Sequence, residues 1–225
     1  MSKKPQLQAV IFDLDGTLLN CPYDFAAMRE AVLDLAGRFG VSREKLAGLG
    51  ILEAIGVGER LLGGEVGRRF RAAAEEAVLA LECLGAEDSL PLAGAKETLA
   101  WLKARGLRVG IITRNSEKVV GDLLRRGEFS YDVLLAREAV AQPKPHPEHL
   151  RAALDRLGCA AGEVVMVGDH VWDVTCAKAA GVTMVGVTTG TSSREALAEA
   201  GADAVLEDLS LLPAWLMENF TLPRR

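Results

Sequence analysis

The chain has 225 residues, of which 49% are hydrophobic, 25% charged and 5% aromatic. This apolar content excludes an intrinsically disordered chain, which could not bury enough surface to offset its ordering entropy. No apolar run approaches the ~18 to 20 residues that a bilayer-spanning helix needs, so we expect no membrane partner. The formal net charge of −5 argues against nucleic acid as a partner, because phosphate backbones are bound by surplus Lys and Arg.

The beginning of the chain and its cysteines indicate the compartment. The first residues, MSKKPQLQAVIFD, lack the long apolar segment and the cleavage site of a secretory signal. The four cysteines are far apart and show no CxxC spacing, so we expect no disulfide framework. These features predict a cytoplasmic protein, and they leave open whether it is a monomer or a homodimer.

A strand is predicted first, and a helical region follows it. The apolar run LQAVIF at 7–12 ends abruptly at a polar residue, as a buried parallel strand does. Over 21–90, apolar residues recur at helical spacing, beginning with the face from Phe25 to Phe39. Two more helices are predicted over 43–62 and 66–84. We therefore predict a small all-helical insertion over 21–90.

The remainder, 1–20 and 91–225, alternates between strands and helices. The predicted strands are 7–12, 107–113, 131–136, 163–168, 183–187 and 202–206, and the predicted helices are 96–105, 116–126, 148–157, 173–180 and 194–200. Such alternation predicts an α/β fold, a doubly wound parallel sheet with helices on both faces, because right-handed crossovers place them there.

Polar residues stand where these strands end. In such sheets, ligands bind beyond the carboxyl ends of the strands. The residues at those positions are Asp13, Asp15, Thr113, Arg114, Asn115, Lys144, Asp169 and Asp173. They form the candidate site.

The first pair lies in DLDGT. Gly16 allows a turn, so Asp13 and Asp15 can both approach one reacting centre. Carboxylates this close repel one another unless a cation lies between them, and a hard, oxygen-ligated ion such as Mg²⁺ fits. The alternative is an ordinary Asp-Gly turn.

The second acidic pair lies in GDHVWD. Asp169 and Asp173 are four residues apart, so both are predicted on one side of the first turn of a helix. Capping of that helix by acidic side chains is the alternative interpretation.

The two remaining segments offer an anion site and a cation. Thr113 follows a strand, and the N–H groups of Arg114 and Asn115 are predicted to open a helix, which would make an anion site. A simple threonine cap is the alternative. Lys144 stands between Pro143 and Pro145 in QPKPHP, and the prolines stiffen its loop. A solvated lysine is the alternative there.

The elements DLDGT, IITRN, KP and GDxxxD, in this order, resemble the four motifs of the haloacid dehalogenase superfamily. The match runs from about Val10 to Thr188, and the helical insertion resembles the C1 cap of that family. The resemblance implies a Rossmann-like core and an Mg²⁺-dependent phosphatase acting on a small phosphorylated metabolite, with phosphoglycolate the favoured substrate.

The resemblance also implies a role for each matched residue. Asp13 is the nucleophile that forms an aspartyl-phosphate, and Asp15 is the acid and base for the leaving group and for water. The Mg²⁺ ligands are the Asp13 and Asp169 carboxylates and the Asp15 backbone carbonyl. Phosphate binding is assigned to the remaining segments, at Thr113, Arg114, Asn115 and Lys144. Asp173 orients metal waters or Lys144.

Several alternatives remain at this point. Asp15 disfavours dehalogenase chemistry, since the haloacid dehalogenases themselves lack the second acid of the first motif. Phosphonoacetaldehyde hydrolases form a Schiff base with a cap lysine, but the sole lysine of the insertion, Lys45, lies in an ordinary helix start, SREKL. A β-phosphoglucomutase-type phosphotransferase shares the motifs, and a phosphoacceptor regulatory domain shares an Asp and Mg²⁺. The insertion arginines Arg68, Arg69 and Arg71 would either bind a second anionic group of the substrate or pair with nearby glutamates.

Overall fold

The structure is a computed structural model that describes residues 4–223. It divides into two compact units, one formed by Met1–Cys21 with Ser89–Arg225 and the other by Pro22–Asp88. We call them the α/β unit and the helical unit. Within residues 4–223, no helix combines the length and the apolar character needed to cross a membrane. That the helical unit acts as a cap domain stays a prediction.

The α/β unit is built on one six-stranded sheet and a short two-stranded pair. The strands in chain order are β1 Ala9–Phe12, β2 Leu19–Asn20, β3 Leu90–Pro91, β4 Arg108–Ile112, β5 Val133–Leu135, β6 Val164–Gly168, β7 Thr183–Val187 and β8 Ala204–Leu206. The sheet order is β5-β4-β1-β6-β7-β8, and every neighbouring pair is parallel. The predicted parallel sheet is confirmed. The antiparallel β2–β3 pair was not predicted, because two-residue strands are too short to show a period.

The central position of β1 follows from its composition. All four of its residues are buried, as expected of a strand covered on both faces. It pairs with β4 on one side and with β6 on the other. The chain therefore adds strands first on one side of β1 and then on the other. Such a switch point opens a crevice at the carboxyl ends of the strands, and the residue that follows β1 is Asp13.

Six helices of the α/β unit connect or follow these strands. They are α4 Ala95–Ala104, α5 Glu117–Arg126, α6 Glu148–Leu157, α7 Val171–Ala180, α8 Arg194–Ala200 and α9 Leu212–Asn219. The first five confirm predicted helices to within two residues at each end. Helix α9 was not predicted, because no strand–helix alternation marks the end of the chain.

The helical unit contains α1 Phe25–Arg38, a 3₁₀ turn at Arg43–Leu46, α2 Ile51–Leu62 and α3 Gly64–Glu87. The single helix predicted over 43–62 is wrong, since the chain is not helical between Leu46 and Ile51. The physical reason is Gly48, whose φ of +73° lies in the left-handed region that interrupts a right-handed helix.

An apolar core holds the helical unit together. It is formed by buried side chains of all three helices and of the 3₁₀ turn. Phe70 is fully buried and packs edge-to-face against Phe39 at a centroid distance of 5.7 Å. The side chain of Asp24 caps α1 by accepting a hydrogen bond from the Ala27 N–H at 2.8 Å.

Candidate active site

Asp13 and Lys144 form the centre of the site. Asp13 directly follows β1, and its N–H continues the sheet by donating to the Val167 carbonyl at 2.8 Å. The Lys144 ammonium lies 2.5 Å from Asp13 Oδ1 and 2.6 Å from Asp173 Oδ1. All three side chains are buried. Three strand-end segments that are far apart in the chain therefore meet in one charged cluster.

Three carboxylates could share a metal ion. Among the described residues, Asp13, Asp169 and Asp173 offer oxygen atoms that all lie within 4.8 Å of one another. An all-oxygen donor set with several carboxylates suits a hard cation such as Mg²⁺. Lys144 supplies one ammonium beside these three acids, so a divalent cation would stabilise their ionised forms. The oxygen donor set thus fits the metal that the motifs predict.

Asp169 is held in place by two threonines. Its Oδ1 accepts a hydrogen bond from the buried Thr17 hydroxyl at 3.1 Å, and its Oδ2 accepts one from the Thr191 N–H at 3.0 Å. These donors come from the turn after β1 and from the loop after β7. They fix the position of the carboxylate, while burial and the neighbouring Asp173 raise the pKa of Asp169.

Gly16 allows the turn after β1 to approach Asp169. Its φ is +82°, and a Cβ atom at this position would lie only 2.7 Å from Asp169 Oδ2. Any other residue would be strained and would displace that carboxylate. Gly16 is therefore required both for the backbone turn and for the space beside the acid cluster.

The carboxylate of Asp15 points to a different set of partners. It accepts hydrogen bonds from the Thr113 hydroxyl at 3.1 Å and from the Asn115 side-chain amide at 3.1 Å. The Cys21 thiol donates a further hydrogen bond. The carboxylate of Asp15 is not part of the three-acid cluster, which agrees with a metal contact through its backbone carbonyl only.

Burial governs the protonation of these groups. Burial raises the pKa of Asp13 well above its usual range, and the neighbouring acids add to this effect while Lys144 opposes it. Burial also raises the pKa of Asp15. For Lys144, burial alone lowers the pKa, but Asp13 and Asp173 outweigh it and raise the pKa. The site therefore retains its ammonium across the whole neutral range.

Arg114 contacts the Lys144 loop. Its guanidinium lies 4.3 Å above the ring of Trp172, a cation–π contact, and its Nη1 donates to the Lys144 carbonyl. The expectation that Arg114 and Asn115 open a helix is wrong, because α5 begins only at Glu117. The Asn115 N–H instead donates to the Thr113 hydroxyl at 3.0 Å.

The two acids of GDHVWD also differ from expectation. Asp173 lies in the first turn of α7, but Asp169 precedes the helix, which begins at Val171. The prediction that both lie on one helical turn is therefore wrong. Asp173 Oδ2 accepts a hydrogen bond from the His170 N–H at 3.0 Å, so the alternative of helix capping applies to Asp173. The same residue contacts Lys144 with its other oxygen.

Three further residues at this site were missed in the sequence. Thr17 belongs to DLDGT, and Thr191 follows β7, so their position at strand ends was the available signal. His149 is fully buried, and its ring contacts the Lys144 loop. The sequence indicates its role only by placing it five residues after Lys144.

The fold and the site together define a known class of hydrolases. Residues 7–181 match the family model of haloacid dehalogenase-like hydrolases. The chain belongs to this family, and the resemblance carried by its four motifs is confirmed.

Curated relatives narrow the class further. The phosphoglycolate phosphatase of Rhodospirillum rubrum is 37% identical to this chain over 93% of the chain and 90% of the relative. A phosphoglycolate phosphatase of Pseudomonas fluorescens is 32% identical over 95% of the chain and 82% of the relative. Within the family, this chain is a phosphatase. The alternative of a non-enzymatic phosphoacceptor domain is wrong.

Solved structures agree on the architecture. A hydrolase from Pseudomonas syringae superimposes with a TM-score of 0.76 at 24% identity, covering 95% of this chain and all of that one. At this identity the likeness concerns the fold alone, and it agrees with the α/β architecture described above.

Proposed function

We propose that this chain is an Mg²⁺-dependent phosphatase that hydrolyses a small phosphorylated metabolite through an aspartyl-phosphate on Asp13. The observation that carries the proposal is the buried contact between Asp13 Oδ1 and Lys144 Nζ at 2.5 Å, inside a cluster of acids. A carboxylate beside a fixed cation is a nucleophile aimed at an anionic phosphoryl group.

In the first step, an Asp13 oxygen attacks phosphorus while the bond to the substrate oxygen breaks. Asp15 protonates the leaving oxygen. The raised pKa of Asp15 suits a general acid, since proton donation needs a protonated fraction near neutral pH. Before substrate binds, hydrogen bonds from Thr113 and Asn115 hold this carboxyl group in place.

In the second step, Asp15 is a carboxylate and takes a proton from water, which attacks phosphorus and releases Asp13 and inorganic phosphate. Lys144 balances negative charge on the phosphoryl oxygens throughout. Thr113 and the backbone around Asn115 are proposed to bind the same oxygens once substrate enters and the apo hydrogen bonds rearrange.

The proposed metal ligands are Asp13, Asp169 and the backbone carbonyl of Asp15. When bound, Mg²⁺ lowers the repulsion between the nucleophilic carboxylate and the phosphate dianion. Asp173, which contacts Lys144 at 2.6 Å, orients that ammonium.

For the substrate, we infer a phosphorylated carboxylic acid of the phosphoglycolate type. The support comes from the relatives named phosphoglycolate phosphatase at 37% and 32% identity. The cytoplasmic location and the choice between monomer and homodimer stay predictions of the sequence.

A substrate panel tests the proposal. Phosphoglycolate, a neutral aryl phosphate and β-glucose 1-phosphate are each incubated with the protein and Mg²⁺, with and without EDTA, and inorganic phosphate is measured. We expect the fastest release from phosphoglycolate and none with EDTA. Activity that survives EDTA would contradict the metal dependence. Conversion of β-glucose 1-phosphate to the 6-phosphate without phosphate release would instead establish the mutase alternative.

A further inference from the structure

Both backbone polar groups of Lys144 are held by side chains. The Lys144 N–H donates to Nδ1 of His149 at 3.3 Å, and the Lys144 carbonyl accepts a hydrogen bond from Arg114. Loop backbone is more often hydrogen-bonded to water or to other backbone. The main chain that carries the ammonium is thus fixed from two directions.

The His149 ring is fully buried and has a partner on each nitrogen. Its Nε2 lies 3.1 Å from the Leu135 carbonyl, and its exposed fraction is 0%. Because Nδ1 accepts from an N–H, the proton of the neutral ring must lie on Nε2 and point to the carbonyl. Burial and the charge of Lys144 lower the pKa of His149 to about 4, so the ring is neutral at pH 7.

The Leu135 carbonyl connects this ring to the phosphate-binding threonine. It also accepts the Thr113 N–H at 3.0 Å. One imidazole therefore links the backbone of Lys144 to the strand end that positions Thr113. Both proposed phosphate-binding residues share this buried support.

We propose that His149 is a positioning residue that holds the Lys144 backbone so that its ammonium spans Asp13 and Asp173. The inference rests on the proposed phosphatase function, in which Lys144 binds the phosphoryl group. The Lys144 ammonium is four rotatable bonds from its backbone, so the backbone must be fixed before the ammonium can be. A misplacement of about 1 Å at such a group can cost roughly a hundredfold in rate.

The first test compares His149→Leu with Leu154→Ala. Leu154 is buried on the same helix, α6, and belongs to the apolar core, so its truncation destabilises the protein without removing a contact to Lys144. We expect His149→Leu to lower kcat/KM roughly tenfold or more and to weaken inhibition by inorganic phosphate. We expect Leu154→Ala to change neither by more than about twofold. Equal losses in the two variants, at equal thermal destabilisation, would overturn the inference.

The second test separates the two ring contacts. In His149→Asn, the side-chain oxygen can take the place of Nδ1 and accept the Lys144 N–H. In His149→Gln, the amide can instead take the place of Nε2 and reach the Leu135 carbonyl. We expect Asn to recover more kcat and more phosphate affinity than Gln, both relative to Leu. Recovery by Gln equal to or above that by Asn, or no recovery by Asn, would overturn the inference. If His149→Leu does not fold, His149→Asn and His149→Gln are each compared with the wild type, and a kcat of Gln equal to or above that of Asn overturns the inference.

The failure of the two proposals can be told apart. If the wild-type protein hydrolyses no phosphate monoester, the proposed function fails. If the wild type is active and His149→Leu retains its rate and its inhibition by inorganic phosphate, the function stands and the positioning role of His149 is wrong.

Discussion

The two units of the molecule differ in whether charged side chains are buried together. In the α/β unit, Lys144 and three aspartates are buried together at the strand ends. In the helical unit, the ion pairs lie on the surface, as in the contacts of Arg71 with Glu59 and Glu75 at 2.7 and 2.8 Å. The exception is Glu82, a buried carboxylate on α3.

Both units have an apolar core, so the difference lies in the buried charges alone. Burying charges costs several kcal/mol per ion, so a buried cluster of like charges is a poor way to stabilise a fold and indicates a reactive site. In the helical unit, the ion pairs are solvated and an apolar core is buried. We therefore expect mutations in the charged cluster of the α/β unit to affect chemistry, and mutations in the apolar core of the helical unit to affect stability.

The largest expected effect is that of Asp13→Asn. Removing the proposed nucleophile should lower kcat at least about 10³-fold, with thermal stability close to that of the wild type. Phosphate release and thermal unfolding are measured together. Asp155→Asn, the same change at an exposed position of α6, is the control and should leave kcat unchanged. Residual activity within tenfold of the wild type would remove Asp13 as the nucleophile.

The second prediction concerns the apolar core of the helical unit. Phe70→Ala in the helical unit should lower the free energy of unfolding by about 3 to 5 kcal/mol, as expected for a large aromatic truncated in a packed core. Denaturant unfolding measures this loss. A loss below about 1 kcal/mol would mean that the core of the helical unit is poorly packed or is dispensable.

A third prediction concerns pH and His149. Its pKa falls from 6.5 to about 4 on folding, so between these values the unfolded chain binds more protons. Stability from this group is therefore fully present above pH 6.5 and is lost as the pH falls towards 4, by roughly 3 kcal/mol in total.

Denaturant unfolding of the wild type and His149→Asn at several pH values measures this contribution as a difference. The raised pKa values of the buried aspartates give a pH dependence of opposite sign, but they are common to both proteins. A difference in unfolding free energy that does not change between pH 4 and 7 would contradict the buried, neutral ring.

The smallest expected effect belongs to the surface pairs. Arg71→Ala removes two ion pairs, but its side chain is 48% exposed, so the loss should stay below about 1 kcal/mol. High salt, which screens such surface pairs, should also change the free energy of unfolding of the wild type by less than about 1 kcal/mol. A loss of several kcal/mol would contradict the conclusion that the surface ion pairs of the helical unit contribute little to its stability.

Much of the fold could be read from local pattern. Apolar runs ending at Asp13, Thr113 and Asp169 located three strands of the sheet, because buried parallel strands are continuous apolar segments. The period of three to four residues found α1 and α3 in the same way. The break between the 3₁₀ turn and α2 was missed, since one glycine with a positive φ, Gly48, interrupts the helix without changing the apolar period on either side of it.

The α/β class, the family and the polar residues at the strand ends follow from residue types within short segments, so they could be predicted before the fold was known. Which of those residues meet depends on how distant segments pack. Strand pairing brings Lys144 to Asp13 across 131 positions of sequence and Thr17 to Asp169 across 152. It also directs the carboxylate of Asp15 to Thr113, away from the three acids, and buries His149 against the Lys144 backbone. Contacts between such distant positions depend on the register of the sheet, which no local pattern contains.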